Sequence, residues 1–143
     1  SEMCIRDRYR QVGIDLQTQV VQFPAAVEAA GQNEHHLAPM VFFSSDPSVL
    51  DFTYLSANAE GGFNWSNVRD DELDRLLIEG VRTLDAGRRA ELYGQAQERI
   101  MDLAVVLPIR DYVNLNAGSA AVQGLRFDTR GWVPWLYDVY LVE

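Results

Sequence analysis

Positive charge is scarce in this chain: Lys and Arg together number 12 against 21 Asp and Glu, for a formal net charge of −9. Such a surface repels phosphate backbones and lacks the basic footprint that nucleic-acid binding requires, so nucleic acid is not an expected partner. Long apolar runs are missing as well. None approaches the ~20 residues that span a bilayer, and no basic-then-apolar signal segment opens the chain. The single cysteine, Cys4, has no intramolecular partner for a disulfide, so cysteine usage says nothing about redox compartment. GxSxG, the P-loop and GxGxxG are all absent, and neither an internal repeat nor a low-complexity tract occurs in the 143 residues.

What is present belongs to a folded domain. A composition that is 48% hydrophobic and 10% aromatic argues against disorder, and the length suits one domain burying roughly 70% of its unfolded surface. Residues 1–8 (SEMCIRDR) carry no periodicity and resemble translated sequencing-adapter read-through at the end of a gene fragment. They are set aside as a non-native segment, and 9–143 are read as the domain.

The most specific pattern lies at 65–108. Asn67 is expected to cap a first helix, with Asp70 at the capping-box position. Leu73, Leu76, Leu77, Val81 and Leu84 then fall on one face at three- and four-residue spacings. Asp85 caps a second helix, whose buried stripe runs through Leu92, Ala96, Ile100 and Leu103. The remaining side chains are mostly charged and face water, which makes the segment a helical hairpin.

Before the hairpin, residues 13–23 alternate with period two and read as a half-buried strand. Pro24 opens a short helix over 25–30 that Gly31 terminates, and 32–38 is a polar loop. The run 39–43 (PMVFF) reads as a strand buried on both faces. Residues 48–55 suit a short helix or an aromatic-rich loop, and 56–64, with Gly61 and Gly62, a flexible connection. After the hairpin, 105–115 has a strand pattern with Pro108 at an edge or entry position. A short strand surrounds Gly124 at 122–127, and 132–142 is an aromatic-rich terminal segment with partial alternation. These elements make an α/β or α+β assembly.

Several groups carry chemistry in principle. Glu34, His35 and His36 are metal-capable, but consecutive residues rarely converge on one ion, so they read as a solvated loop and no metal is expected. Asp46 and Asp51 form a candidate carboxylate pair without an accompanying base, nucleophile or oxyanion motif; Asp46-Pro47 reads more simply as a turn starter. The run Asp70-Asp71-Glu72 suits a first helical turn, where the macrodipole favours negative charge. Arg88 and Arg89 lie at the end of their helix that the dipole disfavours; pairing with Asp85 or the preceding helix would offset that cost, and a role at a partner surface is the alternative. Phe42, Phe43, Phe52, Tyr54, Phe63 and Trp65 crowd one short span, to be divided between core and the wall of a ligand site. Ser44, Ser45 and Asn64 supply hydroxyl and amide groups beside them.

Five pieces occur in a telling order: FFSSDP at 42–47, WSNVRDDELDRLL at 65–77, TLDAGRRAELYGQAQERI at 83–100, AVVLPI at 104–109 and VQGL at 122–125. In order and spacing they resemble the C-terminal part of the family 5 solute-binding proteins of ABC transporters, the group of dipeptide, oligopeptide and nickel receptors. The resemblance implies an α/β, periplasmic-binding-protein-like fold of the two-lobed type II. Only its C-terminal part is present: mostly one lobe, with the end returning toward the other. It implies the substrate-binding component of an ABC importer, a receptor that closes by hinge motion on a peptide-like or other small organic solute outside the cytoplasm. The expected partners are that ligand and the permease subunits at the membrane. The expected location is periplasmic or extracytoplasmic, in soluble or lipid-anchored form, and no catalysis or cofactor is expected. Surface meant for the other lobe should be exposed.

By position in the family, Met40, Phe42, Phe43, Ser44 and Ser45 face the cleft, and Asn64 and Trp65 join them where the loop enters the hairpin. In peptide-binding members an aspartate four residues before the proline of Asp-Pro pairs with the ligand's amino terminus. Here that position is Phe43, which cannot neutralise an ammonium group, and burying such a charge unpaired is costly. The departure counts against free di- and oligopeptides as ligands. Two rivals remain on the residues alone: a small α/β enzyme using Asp46 or Asp51, and a stand-alone interaction domain that docks through the hairpin.

Overall fold

The computed structural model describes residues 2–42, 44–109, 113–129 and 131–142, in two compact units, Ser1–Ala38 and Pro39–Glu143. In the first unit, helix α1 (Glu2–Gln11) occupies the stretch in which no apolar periodicity is visible. Helix α2 (Phe23–Gly31) starts with Pro24 in its first turn, where a missing N–H costs nothing. It closes with amides of Gln32 and Asn33 donating to the carbonyls of Glu28 and Ala30. The strand expected over 13–23 does not form: residues 14–22 have no regular structure, and Ile14, Val20 and Val21 are exposed. Alternation marks which side chains suit a half-buried face, but a strand also needs a neighbour for its amides. The strands described here pair only with one another, in the second unit.

The second unit is built on the helical hairpin. Helix α3 (Val49–Tyr54) and a 3₁₀ turn at Ser56–Asn58 lead to α4 (Asp71–Arg82) and α5 (Ala86–Asp102). The cap of α4 is Asp70, whose Oδ1 accepts from Leu73 N at 2.8 Å; Asn67 lies earlier, in a left-handed turn at φ 52°. Capping therefore falls three residues later than expected, after Val68 has been drawn into the core. Asp85 caps α5 as expected, accepting from Arg88 N at 2.7 Å.

Leu73, Leu76 and Leu77 of α4 pack against Leu92, Tyr93, Ala96 and Ile100 of α5, with Leu50, Tyr54, Leu55, Leu103 and Val105 against their edges. Two members of the expected stripe are outside this core. Leu84 is fully exposed and Val81 half-exposed. Helix α4 ends at Arg82, so the helical period no longer governs Leu84. The buried stripe itself passes through Gly80, where a Cβ would lie 3.0 Å from Tyr93 Cε2. A glycine there lets the tyrosine ring reach the α4 backbone, a contact that a search for apolar side chains overlooks.

The strands expected at 39–43 and 105–115 do not form among the described residues either. Residues 39–42 and 105–109 are irregular, as are 113–115, and Val41, Ile109, Val113 and Leu115 are exposed. Their apolar runs again have no ladder to join. The chain ends in two nested antiparallel pairs: β1 (Val122–Gln123) with β4 (Tyr140–Leu141), and β2 (Arg126–Phe127) with β3 (Pro134–Trp135). The expected strand at 122–127 is thus split. At Gly124, φ is 74° and a Cβ would stand 2.0 Å from Asp138 O, so the ladder breaks where the two backbones approach. Arg126 and Asp138 pair across the break.

Two measurements test this core. Leu77→Ala should cost about 2–5 kcal/mol through lost burial and a residual cavity, whereas Leu84→Ala should change stability by no more than about 0.5 kcal/mol; urea denaturation separates them. The second concerns Asp70, whose carboxyl the Arg99 side chain holds below the ordinary carboxylate range by hydrogen bonds of 2.6 and 3.1 Å. Its folded-state value is depressed, so its contribution is complete above the unfolded value and disappears as pH falls through the folded one. Asp70→Asn, which keeps a cap acceptor, should therefore be less stable than the parent at neutral pH. The gap should narrow only below about pH 4, as read from thermal melts across the pH range.

Candidate functional site

Four aromatic rings meet at the surface of the second unit. Phe52 and Phe63 stack with centroids 4.4 Å apart, and Phe63 lies 5.3 Å from Trp65. Phe42 stands over all three, edge-on to Phe52 and Phe63 at 6.3 and 6.1 Å and tilted to Trp65 at 5.9 Å. Edge-to-face and offset contacts of this kind are the favoured aromatic geometries. The rings are not core: Phe42, Phe52 and Phe63 are 40, 46 and 36% exposed, and Trp65 is half-buried. An aromatic cluster held in contact yet open to solvent is suited to receive an apolar group.

Three local features set the cluster. Phe42 comes from the irregular segment before α3, Phe52 from α3 itself, and Phe63 and Trp65 from the loop that enters α4. That loop is tightly bonded rather than the loose connection its composition suggests. Asn64, 1% exposed, lies between the two rings in sequence. Its Nδ2 donates to the carbonyls of Leu55 and Val68 at 3.0 and 2.9 Å, and more weakly to Tyr54 at 3.4 Å. Its Oδ1 accepts from Ser66 Oγ at 2.9 Å and from Val68 N at 3.3 Å. Every polar atom of the amide is engaged with protein, so Asn64 acts as a buried clamp on the loop, where the sequence suggests a cleft contact.

The other expected residues divide. Phe42 and Trp65 are brought together in the cluster. Met40 is half-buried upstream. Ser44 is exposed, with its Oγ accepting from Asp46 N at 3.0 Å, and Ser45 is exposed beside it. Phe43 lies outside the described residues. Phe52 and Phe63, visible in the sequence only as members of an aromatic-rich span, complete the surface; their proximity depends on the turn at 56–64, which spacing alone does not reveal.

Phe42 also borders a groove of about 420 Å³, shared with Tyr54, Ile100, Met101, Val106 and Pro108 among others. Burial raises the pKa of the Tyr54 hydroxyl at this margin.

Both candidate carboxylates have structural tasks. Asp46 Oδ1 accepts from Ser48 N at 2.8 Å and from Arg89 Nη2 at 2.9 Å. Bonds from Ser48, reinforced by Arg89, hold its pKa below the ordinary value. Asp51 accepts from Tyr93 Oη at 3.2 and 3.3 Å; burial pushes its pKa up, against the opposing effects of Tyr93 and Arg89. Arg89 thus pairs with Asp46 across 43 residues, not with Asp85 or α4 as expected, and Arg88 pairs with Glu91 at 3.1 Å. In the first unit, His35 is half-buried in a loop, and no three metal-capable side chains gather among the described residues.

No protein-family model matches the chain. It is 27% identical over 124 residues to the probable di/tripeptide-binding protein 5 of Pseudomonas aeruginosa (strain UCBPP-PA14), covering 85% of this chain and 24% of that protein. To the di/tripeptide-binding protein 1 of the same strain it is 28% identical over 108 residues, covering 73% and 20%. The solved structure of HbpA2 from Haemophilus parasuis superimposes with a TM-score of 0.76 at 23% identity, covering 99% of this chain and 28% of that one. The chain therefore spans about a quarter of the length of the proteins it matches. It carries part of a two-lobed, periplasmic-binding-protein-like α/β fold, and the resemblance to solute-binding proteins is borne out.

The clamp gives a direct test. Asn64→Ala removes the side-chain partner of both the carbonyl and the amide of buried Val68, at about 1–3 kcal/mol for each group left unsatisfied, while the Leu55 carbonyl keeps the Asn58 amide. Chemical denaturation should show that loss, and near-ultraviolet circular dichroism should report altered packing at Trp65.

Proposed function

We propose that the chain is part of the substrate-binding component of an ABC importer, which captures a peptide-like or other small organic solute outside the cytoplasm and delivers it to membrane permease subunits. The observation that carries this reading is the exposed four-ring cluster of Phe42, Phe52, Phe63 and Trp65, in a chain whose curated relatives are named as di/tripeptide-binding proteins. Aromatic faces take up apolar groups through area burial and favourable ring geometry. In this reading the exposed Ser44 and Ser45, which follow Phe42 and Phe43 in sequence, offer polar contacts, and Met40 and Phe43 belong to the same proposed segment. Binding without chemistry fits the engagement of Asp46 and Asp51 in structural hydrogen bonds, which leaves neither poised as a general base. The proposal includes an extracytoplasmic location, which the similarity to peptide-binding relatives supports.

The ligand class has a second handle. Phe43 stands where peptide-binding members of the family carry the aspartate that pairs with a free amino terminus. A solute lacking that ammonium group therefore suits this chain at least as well as a free dipeptide.

Calorimetric titration of the protein with leucyl-leucine, its N-acetylated amide, sugars and opines tests the proposal. Saturable binding of the blocked peptide at least as tight as that of the free one is the expected result. Phe42→Ala and Trp65→Ala should each weaken it about tenfold, the scale of an anchor residue at an interface. Turnover of any of these compounds without saturable binding would overturn the reading.

A further inference from the structure

Two side chains one turn apart on α5 reach back to the segment that bears the site. Arg89 Nη2 donates to Asp46 Oδ1 at 2.9 Å, and the same oxygen accepts from Ser48 N at the start of α3. Tyr93 Oη donates to both oxygens of Asp51, and the Arg89 guanidinium carbon lies 5.6 Å from the centroid of the Tyr93 ring. From Asp46 the bonding continues to Ser44, whose Oγ accepts from the Asp46 amide. The hairpin therefore grips this segment at Asp46 and again at Asp51. Upstream of Asp46, residues 39–42 have no regular secondary structure, so no strand ladder or helix holds them.

Resting on the solute-binding reading above, we infer that Arg89 is a positioning residue of the ligand site: by pinning Asp46 to α5 it holds Phe42 against Phe63 and Trp65 and thereby shapes the aromatic surface. The pair contributes little to global stability, since both partners are substantially exposed and such pairs are screened by solvent. Its effect is local. Ordering an irregular segment costs conformational entropy, and a charge-assisted bond immediately beyond the site offsets that cost where it matters.

The test needs no ligand, so its failure and the failure of the solute-binding reading are separate results. In the full chain carrying Trp132→Phe and Trp135→Phe, Trp65 is the remaining indole of the three. Acrylamide quenching of its fluorescence then reports how well Phe42 covers it. Arg89→Met, which keeps the stem over Tyr93, should raise the quenching constant about twofold, the scale of an exposed ion pair, while the thermal midpoint stays within about 2 °C. Asp46→Asn should do the same, the double variant should be no worse than either single one, and Arg89→Lys should restore most of the protection. Unchanged quenching in Arg89→Met, or additive effects in the double variant, would overturn the proposal. So would a fall in thermal midpoint that accounts for the whole rise in quenching.

Discussion

The helical part of the second unit hangs on the apolar seam between α4 and α5. Leu73 and Leu77 are fully buried against Leu92 and Ala96, with Tyr93 lying over Gly80. Burial on this scale is the dominant favourable term in folding, and neighbouring elements are attached to the seam by apolar contacts at its edges, from Leu50, Tyr54 and Leu55, together with polar links. Asp74 accepts from the Ser56 amide, Tyr93 donates to Asp51, and the Asn64 amide ties the 56–64 turn to Val68. The caps serve the same end. Asp70 satisfies an orphan amide of α4 and at the same time takes a bidentate arginine from α5, joining the two helices at one end of the hairpin.

This division places rigidity and recognition in different residues. The hairpin supplies a packed frame, with its charges paired along the solvent face, as in the Glu72–Arg75–Glu79 set. The rings that face solvent sit on the segments around α3, held by hydrogen bonds more than by burial. Loops carried on a rigid scaffold are where binding residues concentrate, because their side chains can be presented to a ligand without exposing the core. Asn64 illustrates the arrangement. Its own atoms are consumed in the frame, and its two neighbours in sequence are presented to solvent.

The helical hairpin was readable because its burial obeys one local period. Leucines at 73, 76 and 77 and apolar residues at 92, 96 and 100 mark the two facing stripes, and Asp85 marks a helix start by a side-chain bond that spans three residues. Structure departs from local pattern where the outcome depends on partners distant in the chain. The alternation at 13–23 and the apolar runs at 39–43 and 105–115 have strand character without a ladder among the described residues. Gly80 was invisible to a search for apolar side chains, although it lies on the stripe. Arg89 was expected to pair locally and instead found Asp46, 43 residues away.

The sequence by itself determined the short helix after Pro24 and the two helices of the hairpin, one of the hairpin's two caps as placed, the acidic surface and, through five short motifs in order, the kinship with solute-binding proteins. Each depends on near neighbours or on composition. Only the tertiary structure decided that Phe42, Phe52, Phe63 and Trp65 form one exposed cluster, that Asn64 is a clamp and that Asp46 and Asp51 are anchors. Those outcomes depend on which backbone groups and charges are brought within about 3 Å of each other, and a one-dimensional pattern cannot specify contacts whose partners lie tens of residues apart.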